Sequence, residues 1–211
     1  MNKVGTPRRG VRVLFSFIPW HLLVPDPDRL RIIFACIGAA IFYGIIHDQI
    51  TIRLCPEYFT AFHPFLIATQ SLTLLALAWA VVATWWMGLI IGIFVSAAAR
   101  WGAWPKLSLS DIKNHIAVFI FILGGLALMA GVIGYFGYRA HLFSAPDIPA
   151  DTLDPDRYPR FVAAWFMHLT SYFAGGLGAL ILCTMILVKR RALAPRASVR
   201  TPCAPTTEPR A

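Results

Sequence analysis

The chain has 211 residues, of which 58% are hydrophobic and only 14% are charged, and its formal net charge is +9. This composition leaves too little polar surface for a water-soluble globule and indicates an integral membrane protein. Because the basic residues flank long apolar stretches, the excess positive charge predicts contact with anionic phospholipid headgroups and not with nucleic acid.

Four apolar stretches predict an all-α bundle of four transmembrane helices over residues 30–190. We place the spans at about 30–49, 66–99, 112–139 and 160–188. Residues 1–29 are expected to form a cytoplasmic or interfacial lead-in. Residues 191–211 are rich in Pro, Thr, Ala and Arg and are expected to form a disordered basic cytoplasmic tail.

Lys and Arg are distributed unevenly: 15 of the 19 lie before span one, between spans two and three, or after span four. The other two connections hold Arg53, Arg139, Arg157 and Arg160. Basic loops resist translocation and face the anionic inner leaflet. We therefore expect a bacterial inner-membrane protein with both termini on the cytoplasmic side. We expect Lys189, Arg190 and Arg191 to hold the end of span four at inner-leaflet phosphates.

The first span is short and the second is long. Ile32 to Ile46 contains no charged residue but reaches only about 22 Å as a helix, whereas a hydrocarbon core is roughly 30 Å thick. His47, Asp48 and Gln49 should therefore lie at or just below the outer boundary. Pro64 to Ala99 would extend about 54 Å as one helix, which must tilt, kink or protrude beside them.

Small residues predict where helices approach closely. In span two, Gly88 and Gly92 allow either a bend or a close helix contact. Span three begins with Ser108 and Asp111 at the spacing of a capping box. Small residues then recur on one face of this helix: Gly124, Ala127, Gly131 and Gly134. We expect that face to pack inside the bundle and Ile122 to face lipid.

The connection between spans one and two is the densest polar stretch near the membrane. Ile50 to Cys55 alternates apolar and polar residues as a strand does, and Pro56 and Glu57 are typical of the start of a short helical turn. This connection, with its aromatic residues, is expected to roof the recess above the end of span one.

Imidazoles and carboxylates from these segments form one candidate site facing the periplasm. Its members are His47, Asp48, Glu57, His63 and His168. Such side chains are the ligands of a Zn, Fe or Mn ion, or the acid and base of a hydrolytic site, so a transition metal ion is the candidate cofactor. No pair has a recognised spacing such as HExxH.

Four of these residues also have a structural interpretation. Asp48 can pair with Arg53, and Glu57 can cap its short helix. His63 can lie at the interface, and His168 can hydrogen-bond across helices.

Two other classes of function stay open. Haem- or quinone-linked electron transfer would use His47 and His168 as axial ligands of a haem on facing helices. A non-enzymatic scaffold or accessory subunit would use the glycine-rich faces and the polar connection to contact a membrane-complex partner or a second copy of the chain.

Four motifs carry a resemblance to a known family. They read HDQITIRLCPEYFTAFHP, ATWWMGLIIG, AARWGAWPKLS and WFMHLTSYFAGGLG. On these motifs the chain resembles uncharacterised bacterial multi-pass inner-membrane proteins that carry HDQxTxRxCxEYFTxxHP, TWWxG, ARxGxxP and WxxHxxSYxxG. The resemblance covers most of residues 43–190. It implies a four-helix membrane topology in which the motifs act as a unit, and it implies no reaction.

The charge distribution makes a prediction about topology. Reporter domains fused after Trp104 and at the C-terminus should report the cytoplasm, and fusions near Cys55 and Pro149 should report the periplasm. The measurement is paired activity of a reporter that works only in the cytoplasm and one that works only outside it. A periplasmic C-terminus would contradict the four-span arrangement.

Overall fold

The computed structural model describes residues 26–142, 144, 148 and 151–198. The chain forms α1 (Pro27–Leu54), α2 (Pro56–Thr60), α3 (Leu72–Arg100), α4 (Leu109–Arg139) and α5 (Tyr158–Ser198), with one 3-10 turn at Pro155–Arg157. These described residues contain no strand. Four helices, α1, α3, α4 and α5, are long and apolar enough to cross a membrane, which confirms the predicted all-α, four-helix class.

The helix starts follow from capping residues in the sequence. The Asp26 carboxylate accepts a backbone N–H of the first turn of α1 at 3.1 Å, and Pro27 occupies the first helical position, where no N–H is needed. Ser71 caps α3 in the same way. At the start of α4, Asp111 accepts the backbone N–H of Ser108 at 2.8 Å, as the capping-box spacing predicts.

Three expectations about the element boundaries were wrong. Ile50 to Leu54 continues α1 and is not strand-like, because a helix satisfies its own backbone groups where water is scarce. The second span begins at Leu72 and not near Pro64, so it has 29 residues and a length of about 44 Å. Finally, α5 continues to Ser198, so residues 191–198 are helical and not disordered as expected. The lead-in before residue 26 and the tail after residue 198 lie outside the described residues.

The four long helices form two packed pairs. Helix α1 packs along α3, and α4 packs along α5; α3 and α5 also touch, as do α1 and α4. The starts of α1 and α4 and the ends of α3 and α5 meet at one end of the bundle, which we call the basic end. The opposite end, which carries α2, is called the site end.

Glycines set the separation of α1 and α3. A Cβ at Gly88 would lie 2.7 Å from the Cα of Ile37, and one at Gly92 would lie 2.9 Å from the Cα of Ile33. Both distances are too short for any side chain, so the backbones meet directly at these two turns. Of the two possibilities for this glycine pair, the structure has the close contact with α1.

Three of the four residues on the small-residue face of α4 are buried as expected, whereas Gly124 is only partly buried. Gly131 lies against Met167 of α5, and Gly134 lies against Phe166. Ala127 is also buried, whereas Ile122 is 54% exposed on the opposite side of the helix. Close packing of backbone and large side chains is therefore the basis of the α4–α5 pair.

Two arginines fix the connection between α3 and α4 at the basic end. Arg100 contacts Asp26 at 2.6 Å, which ties the end of α3 to the start of α1 and holds the pKa of the Asp26 carboxyl below its usual range. Arg190 of α5 is 1% exposed, so it does not reach phospholipid phosphates as expected. Its guanidinium donates four hydrogen bonds of 2.7–3.0 Å to carbonyls of residues Ala98, Trp101, Trp104 and Pro105.

Replacing Gly88 should test the α1–α3 contact. Gly88→Ala puts a Cβ against backbone that cannot move aside, so the free energy of unfolding should fall by about 1–3 kcal/mol. Gly125→Ala is the matched control, since a Cβ at Gly125 meets nothing within 4 Å. Thermal unfolding in detergent measures both variants. An equal loss in both would show that the contact contributes nothing specific.

Replacing Arg190 should release the connection at the basic end. Arg190→Ala leaves several carbonyls without donors, and we expect a loss of at least about 2 kcal/mol in the free energy of unfolding. Arg190→Lys should recover only part of it, because an ammonium lacks the planar fork of donors. Arg191→Ala, at the exposed neighbouring position, should change little. Unfolding and protease cleavage between α3 and α4 are measured together; resistance to cleavage in Arg190→Ala would contradict the assignment.

Candidate metal centre

Three of the five predicted site residues meet near the site end. His47 and Asp48 lie about two turns before the end of α1, and His168 lies three turns into α5. Only 5–8% of each residue is exposed. Asp48 Oδ1 lies 3.0 Å from His47 Nδ1 and 3.5 Å from His168 Nε2, and the two imidazole rings meet edge to face with centroids 4.5 Å apart.

The hydrogen bonds of His168 define its neutral tautomer. His168 Nδ1 donates to the Ala164 carbonyl one turn earlier in α5, at 2.8 Å. In the neutral ring Nε2 is therefore unprotonated and presents its lone pair toward Asp48. A carbonyl partner of this kind is the arrangement that orients histidine ligands in metal sites.

His47 has one ring nitrogen without a partner. Its Nδ1 faces the Asp48 carboxylate and carries the hydrogen of the neutral ring, whereas its Nε2 is buried with no hydrogen-bond partner within reach. Leaving a buried acceptor unpaired costs about 1–3 kcal/mol. A bound cation or a donor from a ligand would remove this cost.

A second polar contact joins the same two helices one turn deeper. The Tyr43 and Ser171 hydroxyls lie 2.6 Å apart, and Ser171 also donates to the Met167 carbonyl at 2.7 Å. Tyr43 is therefore the donor to Ser171. Tyr43 precedes His47 by four residues, and Ser171 follows His168 by three, so both lie on the site faces of their helices. Our sequence analysis missed this pair, although its helical spacing was a usable signal.

Aromatic side chains cover the centre from the site end, as the sequence predicts. The Tyr58 ring of α2 stacks on His168 with centroids 4.4 Å apart, and Phe59 lies 5.7 Å away. His63 donates from Nδ1 to the Tyr58 carbonyl at 2.6 Å and packs edge to face on Trp79. His63 thus belongs to the cover and not to the cluster of donor atoms.

Glu57 lies outside the cluster. Its carboxylate forms an ion pair with Arg157 of the 3-10 turn and accepts a hydrogen bond from the Cys55 thiol at 3.5 Å. Burial raises the pKa of the Cys55 thiol to about 11.

The interpretation of Asp48 as a partner of Arg53 was wrong. Arg53 instead donates to the Gln49 carbonyl at 2.7 Å and to the Thr73 hydroxyl at 2.9 Å. The bond to Thr73 holds the end of α1 against the start of α3.

A cavity of about 170 Å³ extends from the centre toward the middle of the bundle. His47, Asp48, His168 and His63 line one part of it, and mainly apolar side chains of all four long helices line the rest. The Nε1 of Trp79, which also lines the cavity, is buried without an acceptor. The cavity therefore has a mainly apolar lining, with imidazoles and one carboxylate along one part of it.

The donor atoms fit a shared metal ion. One donor atom from each of His47, Asp48 and His168 lies within 4.8 Å of the other two. Metal–ligand bonds of roughly 2.0–2.2 Å put neighbouring donors about 3–3.5 Å apart, so small side-chain movements would complete the centre. Two imidazoles and one carboxylate leave further coordination positions open.

The same geometry disfavours haem between His47 and His168. Two axial imidazoles must lie on opposite sides of a porphyrin plane. Here the two rings touch edge to face, with no space for a macrocycle between them.

Comparisons of the chain with protein-family models, with curated proteins and with solved structures found no match. The function is therefore argued from the geometry of the site.

Proposed function

We propose that this multi-pass membrane protein binds a divalent transition metal through His47, Asp48 and His168. The observation that carries the proposal is the convergence of these three buried donor groups from α1 and α5. Ionisable groups inside a membrane bundle are costly, and this cost makes a functional site the default interpretation.

A metal ion accounts for the electrostatics better than the three side chains do by themselves. The Asp48 carboxylate is 5% exposed, and its ion-pair partners among the described residues are the two imidazoles, which are neutral unless protonated. A desolvated carboxylate needs a positive charge or full hydrogen bonding. A divalent ion supplies that charge and also binds a histidine lone pair.

The donor set selects a group of metals. Two nitrogens and one carboxylate oxygen suit Fe(II), Mn(II) and Zn(II), whereas calcium and magnesium prefer all-oxygen sites. The open positions would admit water or a substrate oxygen, which the metal would polarise as a Lewis acid. The centre therefore supports either metal binding alone or metal-assisted acid–base chemistry.

For orientation, we extend the proposal to a bacterial inner membrane with the basic end in the cytoplasm. Arg29, Arg31, Lys106, Lys113 and Arg191 are exposed or partly exposed at that end. Basic residues near span ends are retained at the anionic inner leaflet, where phospholipid headgroups would be their partners. The metal centre would then lie in the periplasmic half of the bundle.

One observation favours the alternative of an accessory subunit. Trp85 and Trp86 lie in the middle of α3, and they are 46% and 42% exposed. Tryptophan normally lies at membrane interfaces, so its exposure at mid-span favours a protein partner or a second copy of the chain on this face. This alternative gains support if the purified protein holds no metal.

Metal analysis of the detergent-purified protein tests the proposal. We expect about one transition metal ion per chain, and a cobalt-substituted sample should show visible ligand-field absorption. At a free metal concentration of 100 times the Kd, binding should raise the free energy of unfolding by about 2.7 kcal/mol. Asp48→Asn and His168→Gln should lose the bound metal and this stabilisation.

His115→Gln is the matched control, because His115 lies on α4 outside the cluster. It should keep the metal content of the wild type. Thermal unfolding of the metal-free proteins establishes that each variant folds. Equal metal content in the wild type, Asp48→Asn and His168→Gln would overturn the proposal. It would also be overturned if the wild type contained none of the four metals Fe, Mn, Zn and Co and was not stabilised against unfolding by any of them.

A further inference from the structure

Helices α1 and α5 supply the donor groups of the candidate metal centre, yet they touch each other only lightly. Helix α1 packs along α3 and α5 packs along α4, and each of these contacts is far more extensive than the contact between α1 and α5. Apolar packing therefore does little to fix the distance between these two helices. Donor groups on separate helices meet at one relative position only, so polar side chains must contribute to the alignment.

Described side chains join α1 to α5 by polar contacts at two adjacent levels. At the level of the centre, Asp48 Oδ1 lies 3.5 Å from His168 Nε2. One turn deeper, the Tyr43 hydroxyl lies 2.6 Å from the Ser171 hydroxyl. A bound ion would rearrange the first contact, because both of its groups are donors to the metal. The second contact uses neither group and can hold the helices whether or not an ion is bound.

The Tyr43–Ser171 contact has a fixed direction. The Ser171 hydroxyl donates to the Met167 carbonyl of its own helix at 2.7 Å, so it accepts the hydrogen of the Tyr43 hydroxyl. The Tyr43 ring also lies beside the His47 ring, with centroids 5.5 Å apart. Tyr43 is therefore in contact with a donor residue of α1 and hydrogen-bonded to α5.

The two helices transmit this constraint to the centre. Tyr43 lies four residues before His47 on one face of α1, which is about 6 Å of helical rise, and Ser171 lies three residues after His168 on α5. A single helical turn is stiff, so a bond that sets the spacing at one turn also sets it at the next. Metal sites require their donors within about 0.5 Å of the productive position, and a shift of α1 against α5 would exceed that tolerance.

We propose that Tyr43 and Ser171 are positioning residues of the metal centre, and that their hydrogen bond sets α1 against α5 where the three donor groups meet. Neither residue is assigned as a ligand, because each hydroxyl is already hydrogen-bonded within the protein. This inference rests on the metal function proposed above.

The metal affinity of the full chain in detergent tests the proposal. Tyr43→Phe and Ser171→Ala each remove one oxygen atom from this hydrogen bond, and each should raise the Kd for Co(II) by about 10–100-fold. The double variant should lose no more affinity than either single variant, because both changes break the same bond. Ser171→Thr retains the hydroxyl and should retain the wild-type Kd.

Thr84→Val is the matched control. Thr84 lines the same cavity, but its hydroxyl donates to the Ala80 carbonyl of its own helix at 2.6 Å. This substitution should leave the Kd unchanged. The ligand-field bands of bound cobalt should shift in Tyr43→Phe and not in Thr84→Val, because both variants keep the donor groups but only the first changes their spacing.

The proposal would be overturned by a wild-type Kd in either Tyr43→Phe or Ser171→Ala, by additive losses in the double variant, or by an equal loss in Thr84→Val. Thermal unfolding of the metal-free proteins is measured in parallel. A Tyr43→Phe protein that does not fold would also count against the proposal, since the bond would then support the whole fold. A wild type that binds no metal would defeat the metal function together with this role, whereas a metal-binding wild type with unchanged variants would defeat the positioning role alone.

Discussion

Each end of this bundle buries one charged side chain away from water, and the packing of the helices depends on how these two charges are paired. Among the described residues, Asp48 is the one buried acidic side chain and Arg190 is the one buried basic side chain. Each needs partners from another helix, because hydrocarbon supplies none. Arg190 of α5 finds backbone carbonyls at the end of α3 and beyond it, and Asp48 of α1 finds an imidazole of α5. Helix α5 is therefore tied to α3 at one end and to α1 at the other.

These polar ties can form only if the helices lie close together, and small residues permit that. Gly88 and Gly92 bring α1 against α3, while Gly131 and Gly134 admit large side chains of α5 to the surface of α4. In a membrane, packing of this kind replaces the hydrophobic driving force, since lipid tails are as apolar as the helix surfaces. Between α1 and α4 the packing is looser, and a groove of about 690 Å³ lies there.

The candidate metal centre depends on differences between its three residues. His168 is oriented by a backbone carbonyl of its own helix, whereas His47 keeps a nitrogen without a partner. Asp48 lies between them and supplies the negative charge that a cation would neutralise. Tyr58, Phe59 and their neighbours exclude water from this side, which strengthens electrostatic interactions inside.

The sequence alone determined the four-helix class, the capping of α4 and the burial of three of the four residues on its small-residue face, because these depend on length, hydropathy and helical periodicity. It also brought His47, Asp48 and His168 onto one list of candidate ligands. Only the tertiary structure separated those three from Glu57 and His63. Glu57 is drawn away by Arg157, a residue distant in sequence, and His63 is turned into the aromatic cover by the Tyr58 carbonyl. The tertiary structure also decided that Arg190 points inward and that α1 continues to Leu54. Side-chain direction and partner choice depend on which helices become neighbours, and a one-dimensional pattern of polarity does not contain that information.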